Sequence, residues 1–181
     1  MKLITLEEID VFQQLYCLSF SEKSVDSSID QYSRRSQNNI EKIKDDIYLG
    51  KVSEYAIYNH YKSQQKEITV PDITIYDANH KSYDADLILS NQYNIHVKSH
   101  YFKSPFPESW VFQKTDPLIK YPTPSDIIAL CVINHKGQGQ AYIDYATTLI
   151  QYTKPLIKKS LSSKTAIYLK DIQHLYIQQM A

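Results

Sequence analysis

The stretch Tyr83–His100, YDADLILSNQYNIHVKSH, decides the fold because its polar and apolar residues alternate with a period of two. Asp84, Asp86 and Ile88 fall on one side of an extended chain, and Ala85, Leu87 and Leu89 on the other. After the turn residues Ser90, Asn91 and Gln92 the alternation resumes, with Asn94, His96, Lys98 and His100 opposite Tyr93, Ile95 and Val97. Two such strands pair as an antiparallel hairpin, which can bring Asp86 and the His96/Lys98 pair to one polar face.

Upstream, the period is that of a helix. Between Ser36 and Gln64, Ile40, Ile43, Ile47, Ile57, Tyr58 and Tyr61 share one side of a wheel drawn at 100° per residue. Gly50 and Glu54 fall on that same side, and a carboxylate inside an apolar stripe needs a positive or hydrogen-bonding partner. The alternative is a helix-surface ion pair with Lys51 or Lys62. An earlier helix is expected over Leu6–Phe20, followed by a polar loop, SEKSVDSSID. EITVPDITIYD (67–77) is a candidate strand interrupted by Pro71, and DANHKS after it is a turn.

Downstream, the proline-rich and aromatic residues 101–125 read as a long ordered excursion. DIIALCVI (126–133) is a nearly continuous apolar run of strand length, expected at the centre of a sheet. A strand or strand-to-helix passage follows in AYIDYATTLI. The tail should contain a helix or turn at Lys154–Leu161, a strand TAIYL, and an amphipathic helix Asp171–Met180.

At 181 residues one domain is expected over 1–181, with an N-terminal helix and loop (1–35), a core (36–146) and a C-terminal extension (147–181). The chain is 43% hydrophobic and 22% charged, as ordinary globular proteins are. No apolar run approaches the roughly 20 residues of a membrane helix, and MKLITLEEID lacks the apolar stretch of a secretory signal, so no membrane partner and a cytoplasmic location are expected. Twenty basic residues balance twenty acidic ones, which gives no overall pull toward nucleic acid. Cys17 and Cys131 lie apart in apolar surroundings without metal-ligand spacing, and are expected to be buried free thiols.

The order of elements, with GKVSEYA carrying Glu54, YDADLIL carrying Asp86 and IHVKS carrying Lys98, resembles the PD-(D/E)xK nuclease superfamily. The resemblance covers roughly residues 40–135. It implies an α/β, restriction-endonuclease-like fold with a mixed central sheet flanked by helices. It also implies a metal-dependent endonuclease, restriction-type, that hydrolyses phosphodiester bonds in double-stranded DNA. Mg²⁺ or Mn²⁺ would be the cofactor, with Asp86, Glu54, His96 and the Val97 carbonyl as metal ligands. Glu54, Asp86, His96 and Lys98 would be the catalytic set, Lys98 handling the attacking water or the phosphate charge. Gln113, Lys114 and His100 are candidate substrate contacts. A homodimer follows if both strands are cut, because each cut needs a site.

His96 departs from the pattern, which has an acid there. Three outcomes are open: a nitrogen ligand favouring Mn²⁺ or a later metal, a base or hydrogen-bond partner for water, or loss of catalysis. The last gives the rival function, a catalytically inactive nuclease-like accessory subunit that binds DNA or protein. Asp84 is a possible substitute carboxylate. Trp110 and Phe112 are read as packing anchors rather than base-stacking platforms.

Overall fold

The computed structural model describes residues 1–33, 38–76, 84–156 and 161–177. In chain order the elements are β1 (Lys2–Leu6), α1 (Val11–Ser33), α2 (Ile40–Ser63), β2 (Leu87–Leu89), β3 (Tyr93–Tyr101), β4 (Ser109–Gln113) and α3 (Pro117–Lys120). They continue with β5 (Asp126–Ile133), β6 (Gly139–Tyr145), α4 (Ala146–Leu149), β7 (Lys154–Pro155), β8 (Lys164–Tyr168) and α5 (Leu169–Ile177).

The architecture is mixed α/β. A five-stranded sheet runs β1-β6-β5-β3-β2, and a smaller one runs β4-β8-β7. In the larger sheet β3 and β5 are parallel while the other neighbours are antiparallel. DIIALCVI is an interior strand as expected, paired on both sides. The hairpin forms with Leu87 opposite Ile95 and Leu89 opposite Tyr93. Its turn places Ser90 and Asn91 at φ of 53° and 51°, a conformation asparagine tolerates better than most residues.

Each face of the large sheet has its own core. On one face Ile95, Val97, Ala129, Cys131, Ala141 and Ile143 pack with Leu49, Val52, Tyr55, Ala56 and Ile57 of α2. On the other, Ile128, Leu130 and Tyr142 pack with Trp110 and Phe112 of β4, Ile167 of β8 and Ile172 of α5. Helices therefore cover one face, whereas the second sheet takes part in covering the other. Trp110 and Phe112 are the packing anchors read from sequence: both are buried, and the Trp110 indole donates to the Cys131 carbonyl at 3.0 Å. Cys17 and Cys131 are buried free thiols.

Several local expectations change. Leu6 ends a strand, and the first helix begins only at Val11, where Asp10 and Gln13 cap each other reciprocally (Gln13 N to Asp10 Oδ1 2.8 Å; Asp10 N to Gln13 Oε1 3.2 Å). SEKSVDSSID is helical rather than a loop, since Ser21, Ser24 and Val25 are buried as α1 packs on α2, and tertiary packing overrides serine's preference for turns. Helix α2 starts at Ile40, with Asn39 Oδ1 accepting from Lys42 N at 3.0 Å. Residues 67–76 form no strand beyond one bridge, Ile68 to Leu89, and Pro71 lacks the donor a ladder would need. Where a helix or turn was expected from Lys154 to Leu161, Lys154 and Pro155 form a short strand, and residues 157–160 lie outside the described residues. The turn expected at 77–82, the start of α2 expected at Ser36 and the end of the last helix at Met180 lie outside the described residues.

Gly139 opens β6 so close to β5 that a Cβ there would collide with the Val132 carbonyl oxygen and lie 2.9 Å from Ile133 Cα. Gly139→Ala is expected to lower stability by about 2–3 kcal/mol. Urea denaturation measures this, and a loss below about 0.5 kcal/mol, the range of neutral surface changes, would contradict the tight β5–β6 approach.

Candidate functional site

Glu54 lies in the half of α2 that presses on the sheet, between buried Ser53 and Tyr55, and is only 8% exposed. The Lys51 Nζ sits 2.6 Å from Glu54 Oε2. Its side chain is also withdrawn from solvent and lies over the Phe20 ring of α1 at 4.9 Å. The partner foreseen for a helix-surface pair is thus present, but the pair is buried beneath α1. Such a pair is held in place by its surroundings far more than an exposed one.

A second carboxylate reaches the same place from the hairpin. Strand β2 begins at Leu87, so Val97 of β3 meets a side chain instead of a backbone partner, and its N–H donates to Asp86 Oδ2 at 2.7 Å. The carbonyl of a strand residue leaves the same edge as its N–H, so the Val97 carbonyl is directed to the Asp86 side. Burial, reinforced by the Asp86 charge, pushes the Glu54 carboxyl up to about 8 against the pull of Lys51. Asp72 adds a weaker push. Partial burial would raise Asp72 itself, but donors from the Tyr76 hydroxyl (2.6 Å) and Thr74 (2.8 Å) prevail and hold it below the usual carboxylate range. Glu54 and Asp72 share the Lys51 ammonium, while Asp86 and Asp72 both push on Glu54.

The remaining expected residues stand elsewhere. Ile95 and Val97 face α2, so strand alternation turns His96 and Lys98 to the opposite face. There His96 Nε2 lies 3.5 Å from Asp126 Oδ1. The Asp126 carboxylate is fixed by Thr123 N (2.7 Å), Thr123 Oγ1 (2.9 Å) and Asn94 Nδ2 (3.1 Å). Burial opposes ionisation of Asp126, but these bonds and His96 together hold it below the ordinary range. The two residues line a cavity of about 370 Å³ with Asp84, Ile88, Leu118 and Tyr121. Lys98 Nζ is 5.6 Å from the centre of the Phe112 ring. His100 Nδ1 is 3.2 Å from the Ser109 carbonyl. Gln113 pairs with Lys164 in the second sheet, and Lys114 N donates to the Ser163 carbonyl at 2.9 Å.

The fold thus brings Glu54, Asp86 and the Val97 main chain together, and sets His96, Lys98, His100, Gln113 and Lys114 apart from them. Among the described residues no three His, Cys, Asp or Glu side chains are arranged to hold a metal ion. Among them, too, no helix is long and apolar enough to cross a membrane. No protein-family model, curated protein or solved structure matches the chain.

Sequence reasoning missed Asp72 and Asp126, and took Lys51 only as a surface partner. Asp126 had a visible signal in TPSD, an acid with a threonine three residues earlier ahead of an apolar run. Asp72 sat inside a segment read as a strand, where its role depends on a chain path that departs from one.

The raised Glu54 has a defined consequence for stability. The folded chain holds that proton up to about pH 8, whereas the unfolded chain releases it near 4.5. Between these values the folded state binds more protons, so this contribution falls as pH rises and levels off above about 8. Glu54→Gln removes it. Urea denaturation at about pH 5 and about pH 8 should show the glutamine variant gaining on wild type toward the higher pH; parallel pH profiles would contradict this origin.

Proposed function

We propose that the chain is a divalent-metal-dependent endonuclease of the PD-(D/E)xK type, restriction-type in action, that hydrolyses phosphodiester bonds of double-stranded DNA as a cytoplasmic homodimer. The observation that carries this reading is the approach of Glu54 on α2 to Asp86 ahead of β2, beside the Val97 main chain. Two carboxylates and a carbonyl are hard oxygen donors, the type that suits Mg²⁺ or Mn²⁺, and Mg²⁺ keeps several waters beside one or two carboxylates. A place where burial and a neighbouring charge keep a carboxyl protonated to about 8 gains from an added cation. The donor types therefore fit such an ion, with Glu54, Asp86 and the Val97 carbonyl holding it. When bound, it supplies charge neutralisation at the phosphate and a more acidic water.

The chain's own groups account for the rest. The Lys51 ammonium, 2.6 Å from Glu54, offers the positive charge that the sequence pattern assigned to Lys98. It can offset charge on a phosphate oxygen or orient a water. Asp86 is held by the Val97 N–H and so presents its other oxygen in a fixed direction.

The placement of His96 and Lys98 on the opposite face favours a second reading, a catalytically inactive nuclease-like subunit that binds DNA or protein. There the His96–Asp126 and Lys98–Phe112 contacts are structural.

Incubation of supercoiled plasmid with Mg²⁺ or Mn²⁺ separates the two. Metal-dependent nicking or linearisation is expected from wild type. Glu54→Gln and Asp86→Asn should each reduce it by about 100-fold or more, a size typical of losing one preorganised electrostatic group. DNA binding without any metal-dependent cleavage would establish the accessory reading instead.

A further inference from the structure

The first four turns of α1 are inverted relative to an ordinary solvated helix. The face packed toward the protein carries small residues, Cys17, Ser21, Ser24 and Val25, all buried. The opposite face presents Val11, Phe12, Leu15, Tyr16 and Leu18, whose exposures run from 47% (Leu18) to 73% (Phe12). At 100° per residue these five fall within about half a turn of the wheel, directed away from the buried set. Across the eleven residues Val11–Ser21 there is no charge at all. Scattered exposed apolar residues are ordinary, but a contiguous, uncharged, aromatic-containing face is the composition of an interface core.

We propose that this face of α1 is the contact between two copies of the chain, related by a two-fold axis near Leu15 with the two helices antiparallel. The chemistry selects the occupant. A nucleic acid would need cations on this face, which has none until Lys23. A membrane surface is met by helices whose polar side is rich in Lys and Arg, whereas Glu7, Glu8 and Asp10 precede this one. A neutral apolar patch is complementary to itself, which is what an isologous contact requires. The five side chains offer on the order of 500 Å² per copy, so a pair buries about 1,000 Å² of apolar surface, the lower bound for a specific interface before its polar rim is counted. Lys51 and Glu54 lie directly behind α1, under Phe20. The proposal gives the homodimer invoked above a surface, and its readout is molecular mass, so its failure is separate from any failure of cleavage.

The test is the mass of the full chain in solution by light scattering at about 50 µM, a concentration at which a micromolar contact is largely formed. Wild type is expected at twice 21.1 kDa. The variants Phe12→Asp and Leu15→Lys, altered only at exposed positions, are expected at 21.1 kDa with unchanged circular dichroism. Leu15→Cys guards against a misfolded charge variant: with Cys17 and Cys131 buried, mild oxidation should link it to a covalent dimer through position 15. Wild type at 21.1 kDa overturns the proposal, whether or not that monomer binds vesicles or another protein. So does a doubled mass that survives Phe12→Asp, or a Leu15→Cys protein that stays uncrosslinked.

Discussion

A carboxylate buried on a helix that packs against a sheet constrains everything around it. Glu54 cannot be hydrated, so its surroundings must supply either a positive charge or a proton. Lys51 supplies part of the first, and the carboxyl's rise to about 8 is the second. Burial is the largest cause of that rise, and against the pull of Lys51 it is reinforced by the charge of Asp86, which the hairpin delivers to the same place. Its geometry follows from where β2 stops. With the ladder ending at Leu87, the Val97 N–H takes the Asp86 carboxylate in place of a backbone oxygen. A strand two residues longer, reaching Ala85 opposite Val97, would satisfy Val97 with main chain and free the acid to point elsewhere. The α1 helix completes the arrangement from above, through Phe20 over Lys51.

The sheet then divides the polar residues by parity. Odd-numbered residues of β3 face α2 and even-numbered ones face the second sheet, so His96 and Lys98 share a face with each other but not with Glu54. On that far side Asp126 is saturated by Thr123 and Asn94, which leaves it suited to fixing the His96 ring and ill suited to taking a new ligand. The absence of an acid at position 96 acquires a local meaning from this. An aspartate there would stand against Asp126, a like-charge contact that histidine avoids.

What the sequence disclosed tracks how local each signal is. The alternation of residues 84–100 and the stripe on α2 are periodic, so the hairpin, the helix and the burial of Glu54 were all legible. Asp126 and Lys51 each had a local signal, Thr123 three residues before the acid and Glu54 three residues along the same helix, but the burial of the Lys51–Glu54 pair under Phe20 of α1 is set by a contact across elements that spacing does not record. The helical course of SEKSVDSSID was hidden because serine favours turns unless a neighbour needs its small size, and that neighbour is α2. The strand expected at 67–77 shows the converse: a β-branched run around Pro71 that, among the described residues, the edge of the sheet takes up only as far as Thr69. For the site, parity correctly paired His96 with Lys98, but it could not say on which side of the sheet the helix would lie.

We propose that Glu54 and Asp86, rather than the His96 face, form the cation site. Calorimetric titration of the wild-type chain with Mn²⁺ tests this most directly, repeated on Glu54→Gln, Asp86→Asn, His96→Ala and Lys98→Ala. Binding is predicted in wild type, weakened by at least about 10-fold in the two acid variants and retained in the other two, as loss of a ligand differs from loss of a distant group. No Mn²⁺ binding in wild type, or binding that survives Glu54→Gln and Asp86→Asn but disappears in His96→Ala, would contradict it.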